Sequence, residues 1–156
     1  MSKFAALDLG RVVAAHGRHF IVETPDGERL TCHPRGKKSD CVVGDLVRWQ
    51  ASGDEGVIEH IEARRNLLFR QDDWRIKSFA ANLDQVLILL AGDPMFSETQ
   101  LARALIAAES AGITAQVLLN KCDLPQAVKA RERLRPYRAM GAAVIERLLA
   151  TRPIRA

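Results

Sequence analysis

From residue 10 to residue 62, apolar and polar side chains alternate in short runs, and each run ends on a turn signal. GRVVAA (10–15) and RHFIVET (18–24) are parted by His16-Gly17. PDGE (25–28) has the composition of a hairpin turn, and RLTCH (29–33) alternates again. A glycine-bearing basic loop follows, PRGKKSDCVVGD (34–45), after which DLVRWQ (45–50) and GVIEHIEA (56–63) resume the alternation. Five short strands with no helical period between them predict a small closed barrel. The most economical form is OB-like, with an SH3-like barrel as the competing arrangement.

The period changes after Asn66. LDQVLILLAGD (83–93) is a continuous apolar run ending in Gly-Asp-Pro, as in a parallel strand buried on both faces. Ser97 to Gln100 fits a capping box, and Leu101, Ala104, Leu105 and Ala108 then fall on one stripe of a helix that Gly112 closes. ITAQVLL (113–119) predicts the next strand, and a strand–helix–strand unit sets its two strands parallel. A second helix is predicted from Gln126 to Arg138, with Asp123 placed to cap it and Pro125 in its first turn. The fold class read from these patterns is an all-β OB-like barrel followed by an α/β region, which the resemblance described below implies is incomplete. The expected division is a barrel over 1–65, a linker over 66–76 and an α/β domain over 77–156.

Asn120-Lys121-Cys122-Asp123 stands just past the predicted strand 113–119. In open parallel sheets, ligands gather outside the carboxyl ends of the strands. A carboxylate held there can accept two parallel hydrogen bonds from the ring N1–H and exocyclic amine of guanine. Adenine offers an acceptor at N1 and no amine at C2, and pairing of this sort rejects the wrong ligand by ~10⁴-fold or more. Asn120 would bond the carbonyl edge of guanine or brace the loop. The stem of Lys121 would lie along the base, and Cys122 would face the packing side. The competing reading is structural, with Asp123 as a helix N-cap and Asn120 as a turn residue.

A base clamp alone hydrolyses nothing. Phosphoryl transfer relies on a glycine-rich loop around the phosphates, a lysine on their oxygens and a hydroxyl on Mg²⁺. The chain holds neither G-x-x-x-x-G-K-[ST] nor D-x-x-G; Gly36-Lys37-Lys38-Ser39 comes nearest and lacks the first glycine.

Composition narrows the field. A hydrophobic fraction of 47% and a charged fraction of 27% fit a soluble globular protein. The longest apolar run, Val86 to Ala91, is far below the ~20 residues that cross a bilayer, and no secretory signal opens the chain. A cytoplasmic protein without a membrane partner is expected. Cys32, Cys41 and Cys122 form no C-x-x-C pair, and His16, His19, His33 and His60 show no ligand spacing, so neither a disulfide framework nor a metal site is expected. The net charge of +4 is uneven: residues 1–128 net −2 and residues 129–156 net +6. The excess is thus a property of the tail rather than a global field for phosphate. Trp49 and Trp74 are expected to pack rather than to stack on bases.

The order of parts carries a resemblance. A barrel, then GVIEHIEARRNLLFRQD (56–72), then KSFAANLDQVLILLAGDPMFSETQLARALIAAESAGITAQVLLNKCDL (77–124), resembles the ribosome small-subunit-dependent GTPase A (RsgA/YjeQ) family. That resemblance implies a circularly permuted P-loop-type GTPase domain, in which guanine recognition precedes the phosphate and switch motifs. Asn120, Lys121 and Asp123 match the guanine-recognition motif, with Cys122 at its variable place. GTP or GDP is then the implied ligand, with Mg²⁺ in the full-length family and a C-terminal zinc segment that has no counterpart here. The implied partner is the small ribosomal subunit through its rRNA, met by a monomer. The matching RNA contacts are Arg35, Lys37 and Lys38 in the basic loop, with Arg11, Arg18 and Arg48 beside them. The sequence reads RLLATRPIRA where the family would continue towards its phosphate loop, so a shortened, catalytically incomplete GTPase is expected. The alternatives are a non-enzymatic RNA-binding barrel and a fragment without function.

Overall fold

The computed structural model describes residues 4, 6–36, 40–72 and 75–147. The chain divides into two compact units, Met1–Leu83 and Asp84–Ala156.

In the first unit, β1 (Asp8–His16), β2 (His19–Glu23), β3 (Arg29–Pro34), β4 (Leu46–Ser52) and β5 (Glu55–Ile61) close into a barrel in the order β1-β2-β3-β5-β4. The hairpins β1–β2, β2–β3 and β4–β5 are antiparallel, β1 also pairs antiparallel with β4, and β3 pairs with β5 in parallel. This is the OB-like arrangement expected from the alternation. Each inward-facing position lands in one core: Val12, Phe20, Val22, Cys32, Cys41, Val47, Trp49 and Ile58. Trp49 packs there, as its place on an alternating strand requires. Burial pushes the Cys32 thiol up to about 11 and the Cys41 thiol up to about 12, so both behave as small apolar side chains.

Residues 66–76, expected as a linker, instead hold a strand. β6 (Leu67–Asp72) pairs antiparallel with β7 (Arg75–Ala81) within the first unit. Asn66 closes the base of this hairpin: its side-chain amide donates to Leu83 O at 2.7 Å, and its oxygen accepts from Leu83 N at 2.8 Å. Trp74 lies outside the described residues, so its packing is not part of this picture.

The second unit is a parallel sheet in the order β10-β9-β8, made of β8 (Gln85–Ala91), β9 (Thr114–Asn120) and β10 (Ala143–Glu146). Between the strands run α1 (Glu98–Ser110) and α2 (Gln126–Ala139). The Ser97 hydroxyl accepts from Gln100 N at 3.3 Å and starts α1, and Gly112 follows its end at φ +66. The strand order does not reverse, so successive right-handed crossovers bring both helices to one face. Leu101 of α1 and Ala130 and Leu134 of α2 accordingly share a core with Val117, Leu119, Ile88, Leu90 and Val144. The expectation that 83–93 is buried on both faces is corrected by this geometry. Leu87 and Leu89 point to the other face and stand 59% and 58% exposed.

Candidate functional site

β9 is the central strand, and its last residue is Asn120, level with Ala91 of β8. The chain then turns sharply. Lys121 has φ +56, a left-handed conformation uncommon for a side chain with a Cβ. It is held there by its own ammonium, which donates to Asp93 O at 2.7 Å, just beyond β8. Gly92 lets the end of β8 come this close to the start of α2, because a Cβ on it would lie 2.7 Å from Gln126 O.

The rest of the motif is fastened as tightly. The Cys122 thiol donates to Leu119 O at 3.0 Å and packs against the helix-covered core, as expected for the variable position. Leu124 N donates to Lys121 O at 3.2 Å, completing the turn. On the other flank, Arg131 of α2 donates from Nη2 to Cys122 O at 3.3 Å and from Nε to Glu146 Oε2 at 2.8 Å. Arg138 donates to Glu146 Oε1 at 2.8 Å. These bonds, that from Arg138 first and that from Arg131 next, hold the Glu146 carboxyl below the ordinary carboxylate range.

Asp123 is exposed at this rim, and its carboxylate forms no hydrogen bond or ion pair with any described residue. The capping alternative is not realised. Helix α2 begins three residues later with Pro125 at its N-cap, and no side chain caps it. A carboxylate without a partner among the described residues therefore stands at the carboxyl end of a parallel sheet, between two backbone-anchored neighbours.

The barrel candidates divide. Arg11, Arg18 and Arg35 are exposed; Arg18 reaches Gly36 O at 3.2 Å, and Arg35 pairs with Glu59. Arg48 is half-buried and committed to the fold, donating to Glu62 at 2.6 Å and to Leu7 O at 3.2 Å. Lys37 and Lys38 lie outside the described residues. Among the described residues, no group of three His, Cys, Asp or Glu side chains is arranged to hold a metal ion, and no helix is long and apolar enough to cross a membrane. Asp93, Arg131 and Glu146 belong to the site and were not singled out from the sequence. Their spacing carries no signal, because the fold alone brings them together.

Comparison with known proteins bears on the family and the fold. The chain is 64% identical over 137 residues to the small ribosomal subunit biogenesis GTPase RsgA of Variovorax paradoxus, covering 87% of this chain and 43% of that protein. It is 55% identical over 139 residues to the protein of the same name from Ralstonia nicotianae, covering 88% and 44%. The chain thus spans less than half the length of these curated relatives. Among solved structures, YjeQ from Thermotoga maritima matches with a TM-score of 0.63 at 26% identity, covering 89% of this chain and 51% of that one. The circularly permuted GTPase YloQ matches in fold, with a TM-score of 0.60 at 24% identity, covering 94% and 53%. The RsgA GTPase family model matches residues 61–152, more than half of the chain, and the protein belongs to that family.

Proposed function

We propose that this chain carries the base-reading part of a small-subunit biogenesis GTPase, joined to a barrel that contacts ribosomal RNA. One observation supports the base reading above the others: an Asn-Lys-x-Asp turn at the carboxyl end of the central parallel strand, with the Asp123 carboxylate unspent. In this reading Asp123 accepts the N1–H and the exocyclic amine of guanine. Asn120 meets the carbonyl edge or braces the loop, and the stem of Lys121 lies beside the base. GTP and GDP are the ligands, and any Mg²⁺ would arrive with their phosphates. The sequence contains no phosphate-loop pattern, so the chain by itself binds guanine nucleotide weakly and turns over no GTP. Exposed Arg11, Arg18 and Arg35, with Lys37 and Lys38 of the basic loop, are the proposed RNA contacts, with Arg48 buttressing the barrel behind them.

The test is a base swap. Asp123→Asn replaces one acceptor by a donor, which suits the C2 carbonyl of xanthine and clashes with the amine of guanine. Ligand-observed NMR should show guanosine diphosphate preferred over adenosine diphosphate by the unsubstituted chain. The variant should lose guanosine diphosphate by about tenfold or more and gain xanthosine diphosphate. Equal binding of the guanine and adenine nucleotides would defeat the base reading, and phosphate release from GTP in the presence of small ribosomal subunits would defeat the predicted inactivity.

A further inference from the structure

Asp123 can read a base only if its carboxylate is aimed, and it is exposed with no partner among the described residues. Its direction must therefore come from the backbone on either side. The carbonyl of Cys122 belongs to the same peptide plane as the N–H of Asp123, so whatever fixes that carbonyl fixes the plane from which Asp123 departs. Arg131 is that group, donating from Nη2 to Cys122 O at 3.3 Å.

Arg131 is itself oriented. Its Nε donates to Glu146 Oε2 at 2.8 Å, while Arg138, two helical turns further along α2, donates to Glu146 Oε1 at 2.8 Å. One guanidinium on each carboxylate oxygen leaves Glu146 little freedom. Glu146 sits at the end of β10, level with Leu119 of β9, so this brace stands on the same strand pair that delivers the motif. The planar fork of arginine suits the task, because one face bonds the carboxylate while another N–H reaches the carbonyl.

We propose that Arg131, held by Glu146, is a positioning residue that aims Asp123 at the paired donors of the purine. The inference rests on the guanine reading above and adds to it the origin of base specificity. In this reading Arg131 acts through the Cys122 carbonyl rather than on the ligand. It sets the angle at which Asp123 meets the exocyclic amine, and so it governs discrimination more than general affinity.

Inosine diphosphate tests this, since its base keeps the N1–H and lacks the exocyclic amine. In ligand-observed NMR titrations of the 156-residue chain, the ratio of affinities for guanosine and inosine diphosphate reads the second hydrogen bond to Asp123. Arg131→Ala is expected to lower guanosine diphosphate affinity by about tenfold, to lower inosine diphosphate affinity less, and so to collapse the ratio. Arg131→Lys should recover part of it, and Glu146→Gln, which keeps the shape but only one of the two acceptor oxygens, should fall between the parent and Arg131→Ala. In the same variants the Leu124 amide, which closes the motif turn, should exchange faster with solvent than in the parent. A uniform loss for both nucleotides, or an unchanged ratio in Arg131→Ala, would overturn the positioning role and leave the guanine reading intact. A parent chain that does not distinguish guanosine from adenosine diphosphate would overturn both together.

Discussion

Asp45 offers the sharpest test of how the first unit is held together. It is fully buried, and its carboxylate is satisfied on both oxygens. Arg64 Nε donates to Oδ1 at 2.7 Å, Arg64 Nη2 donates to Oδ2 at 2.9 Å, and Val42 N donates to Oδ2 at 2.9 Å. The pair joins the loop before β4 to the segment after β5, and Arg64 also donates to Asp40 O at 2.7 Å. Asp45→Ala would strand a largely desolvated guanidinium and leave the Val42 N–H unmatched. Removing one member of a buried ion pair costs about 3–5 kcal/mol. Arg64 keeps 19% side-chain exposure and the Asp40 carbonyl, so the lower end applies, about 3 kcal/mol. Asp45→Asn keeps the shape and one acceptor and should cost roughly half of that. For a unit of this size about 3 kcal/mol is a large share of the total, and it should lower Tm by about 12–24 °C. Urea unfolding followed by tryptophan fluorescence is a suitable assay, because both tryptophans lie within Met1–Leu83. Arg64→Ala and the double variant complete a cycle, and the double variant should be far less destabilised than the sum of the singles. A loss under about 1 kcal/mol for Asp45→Ala, or simple additivity, would refute the reasoning.

Gly44 adopts φ +92, and a Cβ there would lie 2.0 Å from Ala81 O, backbone against backbone, so Gly44→Ala should cost the first unit more than about 2 kcal/mol in thermal unfolding. For Glu146 the sign is that of a carboxylate held below its ordinary value by Arg138 and Arg131. Its contribution is present above about pH 4.5 and is lost as pH falls through the lowered folded-state value. Acid titration of the second unit by circular dichroism should therefore show a decline below about pH 4.5 that Glu146→Gln flattens, and an identical profile for that variant would count against the pair. Leu87 and Leu89 face outward on edge strand β8, so Leu87→Lys with Leu89→Lys should reduce concentration-dependent association in sedimentation while changing stability by no more than about 0.5 kcal/mol per site.

What could be read from the sequence followed the range of the interactions that make each element. The barrel strands announce themselves because alternation and turn residues are local, and Val12, Val22, Val47 and Ile58 all end inside. The pairing of β3 with β5 has no such signature, since parallel register is decided by closure of the barrel. The hairpin β6–β7 escaped for a related reason. Phe69, Ile76 and Phe79 stand 39%, 65% and 45% exposed, so the apolar residues of these strands do not sort onto one inward face and leave no period to detect. The apolar run 83–93 suggested burial on both sides, yet composition reports only that a strand is apolar. Which face is covered depends on where α1 and α2 land.

The Asn-Lys-Cys-Asp turn proposed to read the base shows the same division at finer scale. Asn120, Lys121 and Asp123 are adjacent in sequence and were legible as a motif, whereas the groups that hold them come from β8, α2 and β10. All of these anchors lie within Asp84–Arg147, in the second unit. Under the proposed guanine reading, the groups that would aim Asp123 are thus in place within the second unit itself. Base pairing contributes discrimination, because a mismatched purine leaves a carboxylate desolvated and unpaired, while phosphate contacts contribute most of the affinity. A chain with the first and without the second should choose well and hold poorly. Selectivity ratios, rather than dissociation constants, are consequently the quantity in which the proposed base reading would be visible.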